Sequence, residues 1–517
     1  MPLARADEST FRLHPTDRVG LVTLTVAKLV FHLATHRGYG IFRDELYYLA
    51  CAAHPDWGYV DHPPLSIWLL WLQTALFGDS LLALRLLPAI AGAGAVLVAG
   101  LLARELGGGR RAQRLAAAAA FCSPYLLATS HFYSMNVFEW LFISLLALVA
   151  ARILGRGMQR GWIVFGALAG LALLNKLLVG VFAVGLVGGM LLGPERRELA
   201  RPGIYLGGAL AALLLAPYVV WQLLNDWPTL EFMARAGAEK IWPITPLELL
   251  TGNIVLVGPL TIPLAVWGLA ALLSAESLRP FRALGWSFLI SFGVFAFVGG
   301  KVYYLTPCFA VLLAAGSVAL ERWSDRPRHR WGFGAAAAAM TLAAVIALPA
   351  AVPLLSEKRL ISFMAALGVE EPRTETHERA ALPQVYADMH GWQELTDRVE
   401  QVVASLPAGE RTDVVIFTAN YGEAGALEYF GRGRDFPPIA SSHNNYWLWG
   451  KAGWTGGTVI TVGIPPERAA AWFNQIEDRG TLDCEWCMPF ERDAHILVVR
   501  EPRLPPDEIW RRMRRFM

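Results

Sequence analysis

The chain has 517 residues, 55% hydrophobic and 17% charged, with a formal net charge of +2 and a mean hydropathy of +0.40. A soluble globular chain carries about 25% charge, so the composition and the recurring apolar runs exclude that class and point to a polytopic membrane protein. The near-zero net charge argues against a nucleic-acid-binding protein.

The N-terminus is polar and mixed in charge, with no small-residue cleavage site. The first apolar run, Leu21 to Leu33, therefore reads as a retained anchor and not a cleaved leader. Apolar stretches then predict about eleven spans, centred near residues 27, 92, 120, 145, 167, 184, 212, 261, 290, 311 and 343. Segment 62–77, with Trp68, Trp71 and Gln73, reads as a helix lying at the interface. One set of short loops is rich in arginine: Arg104, Arg110, Arg111 and Arg114, then Arg152, Arg156 and Arg160, and so on to Arg330. The opposite set holds only Arg43, Lys176, Arg235, Lys240 and Lys301. The positive-inside rule then puts the N-terminus in the cytoplasm and the C-terminal part outside the cytoplasmic (inner) membrane.

Composition changes near Ser356, which predicts two domains, 1–355 in the membrane and 356–517 outside it. The second has short β-type runs at 413–418, 458–462 and 495–500, with helix-like stretches at 392–406, 421–430 and 466–479. It reads as a small α/β domain. The fold class is thus mainly α, a membrane helical bundle with a C-terminal extracytoplasmic α/β domain.

The chemistry-bearing residues converge on the outer face. Asp44 and Glu45 follow the first span, and Asp61 and His62 follow shortly after. Adjacent carboxylates at a membrane boundary are costly to bury and should meet water or a cavity. On a helix over 44–53, neighbours point about 100° apart. Only one of the pair can then face a given site, while the other binds a cation or caps backbone. A carboxylate beside a dry cavity is a natural general base. Lys176 and Lys301 break the charge bias on the same face, either by snorkelling or as part of an anion site. Tyr303 and Tyr304 read equally as an interfacial belt.

Ordered motifs then carry a resemblance. They are Arg43-Asp44-Glu45-Leu46-Tyr47-Tyr48, Gly58-Tyr59-Val60-Asp61-His62-Pro63-Pro64 and Phe77-Gly78-Asp79-Ser80 with Arg85. Further on come Leu174-Asn175-Lys176, Trp221 to Leu230, Gly300-Lys301-Val302-Tyr303-Tyr304, Asn420 to Ala426 and His443 to Gly450. The chain resembles the protein O-mannosyltransferase and aminoarabinose (lipid A) transferase superfamily of GT-C fold membrane glycosyltransferases, over nearly its whole length.

The resemblance implies an inverting transfer of a sugar from a polyprenyl-phosphate donor to a glycan, lipid or protein acceptor at the outer face. It makes Asp44, with Glu45, the leading catalytic candidate. Lys176, Lys301, Tyr304, His62 and Arg43 become candidates for the donor phosphate. Asp61, Asn136, Glu139 and Asp226 become candidates for substrate. Fixed cations in a low-dielectric pocket suit a leaving phosphate that gains charge in the transition state. Asp61 and His62 are the candidate ligands should a divalent metal be used; no cofactor is otherwise implied. The family often has Asp where this chain has Asn136, and Glu139 stands one turn along the same face. Cys484-x-x-Cys487 is either a redox motif or a local disulfide, and an oxidising location favours the disulfide. A transporter or flippase of lipid-linked sugars is the alternative class, although the sequence lacks the two related halves such proteins tend to show.

Overall fold

The computed structural model describes residues 13–368 and 373–517. Among them seven helices are long and apolar enough to cross a bilayer: Arg18–Thr35, Leu81–Glu105, Met135–Arg156, Pro202–Leu224, Glu276–Val298, Val302–Ser324 and Pro327–Ala351. Two further helix pairs pass together but are sharply bent, Val179–Leu192 with Pro194–Ala200 by 112° and Pro246–Val257 with Ile262–Ser274 by 115°. All eleven expected centres fall on helices or on the second bend. The number long enough to span is nevertheless seven, or nine with the bent pairs. The segments near 120 and 167 are Arg110–Cys122 and Gly161–Asn175, of 13 and 15 residues. At 1.5 Å per residue these reach only about 20–23 Å, short of a hydrocarbon core of about 30 Å. Ser123-Pro124 stops the first helix, and extended backbone at Lys176 stops the second.

Helices pack through glycines where their backbones touch. A Cβ on Gly316 would lie 2.0 Å from the Leu264 carbonyl, and one on Gly268 would lie 2.0 Å from that of Leu312. A Cβ on Gly166 would meet Gly207 at 2.1 Å. Without a hydrophobic force between helices in lipid, such close approach is what holds them.

Segment 62–77 forms the helix Leu65–Phe77, whose Trp71, Leu72, Leu76 and Phe77 are exposed. That suits an interfacial position.

The C-terminal part holds a five-stranded sheet: β1 Val415–Thr418, β2 Ile439–Ser441, β3 Val459–Val462, β4 Phe473–Asp478 and β5 Ile496–Pro502, in the order β2-β1-β3-β5-β4. β1 pairs in parallel with β2 and β3, while β5 runs antiparallel to β3 and β4. Helices Trp392–Ser405 and Tyr421–Phe430 form where the sequence predicts. The stretch 466–479 does not: it is a single helical turn, Pro466–Ala469, followed by strand β4. Only Phe473 of β4 is fully buried, because an edge strand has one neighbour and turns polar residues outward. A mostly polar edge strand lacks the apolar run by which β1 and β3 announce themselves.

One continuous core links the two parts. Leu46, Tyr47 and Tyr48 of helix Arg43–Ala53 share a buried cluster with Val137 and Trp140 of the bundle, and with Leu395, Ile416, Leu427 and Val498 of the C-terminal part.

Gly207 and Gly208 are sequence neighbours in different surroundings. A Cβ on Gly207 would meet the Trp162 carbonyl at 2.2 Å, whereas one on Gly208 meets nothing within 4 Å. Gly207→Ala is therefore expected to lower the thermal midpoint of the purified protein in detergent. Gly208→Ala should leave it unchanged or raise it, by up to about 1 kcal/mol of added helix stability. Equal effects would refute this packing.

Candidate functional site

A cavity of about 230 Å³ lies where the bundle meets the C-terminal part. Its charged and polar wall includes Arg43, Asp44, Asn136, Lys301, Glu375 and Asp388. Helix Arg43–Ala53 supplies the first two at its N-terminal turn, where a carboxylate is favoured by the helix dipole.

The acidic pair divides as the 100° rotation requires. Asp44 lines the cavity with its side chain one-third exposed, and accepts a hydrogen bond from the Tyr421 hydroxyl at 2.9 Å. Glu45 is fully buried. Its oxygens accept the Phe42 N–H at 2.9 Å and the Tyr133 N–H at 2.7 Å, and lie 3.8 Å from the Arg85 guanidinium. Burial raises the Glu45 carboxyl above its ordinary range, with Arg85 opposing. Arg43 donates its backbone N–H to the Asp388 carbonyl, and its guanidinium lies 3.5 Å from the Asp388 carboxylate. Burial lifts the Asp388 carboxyl to about 6 against the pull of Arg43.

Two cation clusters flank Tyr303. Lys176 donates to Asn136 Oδ1 at 2.8 Å and Glu139 Oε2 at 2.7 Å, and its ammonium sits 5.2 Å from the ring centres of both Tyr303 and Tyr304. It stands behind Asn136 and Tyr303, which both line the cavity. Lys301 donates to Glu375 Oε1 at 2.6 Å and lies 6.0 Å from the Tyr303 ring. Lys240 reaches the same carboxylate at 3.8 Å. Burial would raise the Glu375 carboxyl, but Lys240, Lys301 and Arg43 outweigh it and hold it well below the usual range.

The other sequence candidates sit elsewhere. Asp61 accepts the Tyr47 hydroxyl at 2.8 Å, and His62 is buried against the rings of Tyr47, Tyr48 and Tyr59. Neither lines the cavity, and among the described residues no group of three metal-ligating side chains occurs. Tyr304 backs onto Lys176, leaving Tyr303 on the wall. Asp226 is exposed in a turn with φ of 60° and lines none of the cavities described here. Cys484 and Cys487 are joined by a disulfide. Segment 443–450 packs with its first four residues buried and its last four half-buried, and Asn445 accepts the Val60 N–H.

Glu375, Asp388 and Tyr421 escaped notice as site residues. Glu375 lies in a run of mixed charge that reads as a solvated loop, and Asp388 and Tyr421 reach the cavity only through the docking of the C-terminal part. Tyr421 alone had a signal, its place in a motif.

A second cavity adjoins the first. It is an apolar groove of about 360 Å³ between helices Pro124–Thr129, Pro246–Val257 and Trp331–Ala351. Tyr125, Ala128, Leu256 and Val385 belong to the walls of both.

The dolichyl-phosphate-mannose-protein mannosyltransferase family model matches residues 61–221. The structure of ArnT from Cupriavidus metallidurans in the apo state aligns with TM-score 0.60 and 16% identity, covering 93% of this chain and 98% of that one. ArnT bound to undecaprenyl phosphate aligns with TM-score 0.57 and 16% identity, covering 93% and 97%. This chain has the GT-C fold of ArnT, and its residues 61–221 carry the mannosyltransferase family pattern. The search of curated proteins finds no match. The GT-C fold and the apolar helices make this a multi-pass membrane protein.

The geometry separates the roles of the two carboxylates in this GT-C protein. Glu45→Ala strips Arg85 of its buried carboxylate and leaves two buried N–H groups without an acceptor. It is expected to cost about 3–5 kcal/mol, read as a large fall in thermal midpoint. Asp44→Ala should cost only about 1 kcal/mol, one hydrogen bond at a partly exposed site. A reversed order would refute the assignment of Glu45 to the scaffold.

Proposed function

We propose that the protein transfers a sugar from a polyprenyl-phosphate donor to an acceptor hydroxyl at the outer face of the inner membrane, with inversion. One observation carries this reading. The apolar groove and the cation-bearing cavity share walls, so a ligand with a long apolar chain ending in an anion fits across both. Undecaprenyl phosphate, with which ArnT was solved, has that form.

In this reading the prenyl chain lies along Leu256, Ile346 and Leu260. The phosphate faces Lys301, with Arg43 and Lys176 adding positive potential. Glu375 neutralises Lys301 and Lys240 when no donor is present, and the phosphate takes over that contact. The acceptor oxygen attacks the anomeric carbon on the face opposite the phosphate. The carbon–oxygen bond to phosphate breaks, its electron pair leaves with polyprenyl phosphate, and the acceptor proton passes to Asp44. Largely buried lysines stabilise the growing phosphate charge more in the transition state than in the ground state. Tyr421 holds the Asp44 carboxylate in place. Asn136, bonded to Lys176, faces the sugar. Residues 1–355 then carry the transfer machinery, and residues 356–517 close it from outside. Asp61 and His62 support the helix that carries Asp44, through Tyr47 and Tyr48.

The experiment is a transfer assay on purified protein in lipid, with a panel of labelled polyprenyl-phosphate sugars and crude envelope as acceptor. Donor consumption is expected for the wild type and should fall at least about 100-fold in Asp44→Asn, the usual size of a general-base effect. Lys301→Gln should weaken polyprenyl phosphate binding about tenfold, the size of one charge-assisted contact. Unchanged turnover in Asp44→Asn sinks the base assignment. No consumption of any donor, with or without divalent ion, sinks the enzyme reading in favour of a translocator of lipid-linked sugars.

A further inference from the structure

The C-terminal sheet has its own crevice. The chain leaves β1 toward β2 on one side, while the connection from β3 leads to β4 and β5 on the other. The carboxyl ends of β1 and β3 are therefore a topological switch point, where open α/β sheets bind their ligands. A cavity of about 290 Å³ lies there. Ala419 follows β1 in its wall, His443 follows β2 and Gly463 follows β3. Gly463 has a φ of 72°, and a Cβ there would lie 2.1 Å from Glu423 Oε1, so the crevice needs glycine at this point.

The wall is cationic. Arg43, Lys240 and Arg515 line the crevice, the first two paired with Asp388 and Glu375 outside it; Glu423 is the one acidic side chain in the wall, and the backbone oxygen of Met517 lies there 2.8 Å from His443 Nε2. Arg515 has no ion-pair partner among the described residues; its Nε meets the Met517 sulfur. A second hollow of about 180 Å³ shares Ala419, Gly463 and Arg515 with the first and adds Arg468, which likewise has no ion-pair partner among the described residues. Burial, together with neighbouring Glu491, raises the Glu423 carboxyl well above its ordinary range, so this carboxylate offsets the cations little. His443 is buried and kept neutral: burial, Lys240 and Arg515 all depress it.

The crevice also touches the transfer site. Arg43 lines both cavities, and the Tyr421 hydroxyl, on a residue of the crevice wall, donates to Asp44. We infer that this crevice holds an anionic group of the acceptor, a phosphate or a carboxylate, with Arg515 and Lys240 as its ligands, so that a nearby acceptor hydroxyl is presented to Asp44. This rests on the reading of Asp44 as the base and adds a substrate class to it: acceptors bearing an oxyanion.

The test uses the full-length protein in lipid and three matched probes: a neutral alkyl glycoside, its uronate and its sugar phosphate. Direct binding titrations are run on the wild type and on Arg515→Gln, Arg515→Lys and Lys301→Gln, alongside acceptor kinetics with the donor found in the transfer assay. One or both anionic probes should bind, and the neutral one should not. Arg515→Gln should weaken anion binding about tenfold, the size of one charge-assisted contact, with Arg515→Lys largely restoring it. Acceptor KM should rise in parallel while affinity for polyprenyl phosphate stays unchanged. The stronger of the two anionic arms names phosphate or carboxylate. Anion binding lost in Lys301→Gln but kept in Arg515→Gln would place the anion in the donor cavity and overturn the inference. So would equal use of neutral and anionic acceptors. If the anionic probes bind through Arg515 but Asp44→Asn still transfers sugar, the site stands as an anion site and the base reading fails instead.

Discussion

Everything at the site depends on how closely helix Tyr421–Phe430 lies against helix Arg43–Ala53. Two glycines set that distance. A Cβ on Gly422 would fall 2.4 Å from the Arg43 side chain, and one on Gly425 would fall 2.9 Å from the Leu46 backbone. With both positions bare, the Tyr47 and Tyr421 rings stack at 4.4 Å and the Tyr421 hydroxyl reaches Asp44. The C-terminal part is thus not an appendage. Its first βα unit closes the wall against which the membrane part's carboxylate stands.

The buried charges fall into two kinds. Glu45 with Arg85 and Glu139 with Lys176 are enclosed, and each carboxylate has fixed donors, so breaking either pair strands a charge away from water. Glu375 with Lys301 and Lys240 is different, because Glu375 and Lys301 line the cavity and an incoming anion can compete for the same ammonium. The first kind holds the helices in register; the second keeps cations in a low-dielectric pocket without leaving them unpaired. Glu45 belongs to the first kind while its neighbour Asp44 lines the cavity, because a single helical step turns the two apart.

Legibility followed the physics of each signal. The bundle, the short apolar helix Leu65–Phe77, the helix carrying the acidic pair and strands β1, β3 and β5 were all readable, since apolar length and period are local properties of a chain. That Asp44 and Glu45 point apart was readable as well, from helical geometry alone. The gathering of Lys176 with Asn136 and Glu139 was approached only through motif order and topology. Strand β4 was missed because an edge strand presents no apolar run, and the short helices Arg110–Cys122 and Gly161–Asn175 were counted as spans because composition does not reveal where a helix breaks. Asp388 and Glu375 carried no signal, since their meaning lies in partners distant along the chain, Arg43 for Asp388 and Lys240 and Lys301 for Glu375.

The amino-acid sequence by itself determined that this chain lives in a membrane, that carboxylates and lysines gather in the loops at one end of its spans, and that its last part forms an α/β sheet. These follow from burial preference and charge, which each residue carries with it. The tertiary structure decided which of two adjacent carboxylates meets the cavity, that Glu375 rather than solvent answers Lys301, that His62 is walled in by tyrosines, and that the sheet's crevice shares Arg43 with the cavity Asp44 lines. Those depend on distances between segments far apart in the chain, and such distances are set by packing, not by composition or spacing.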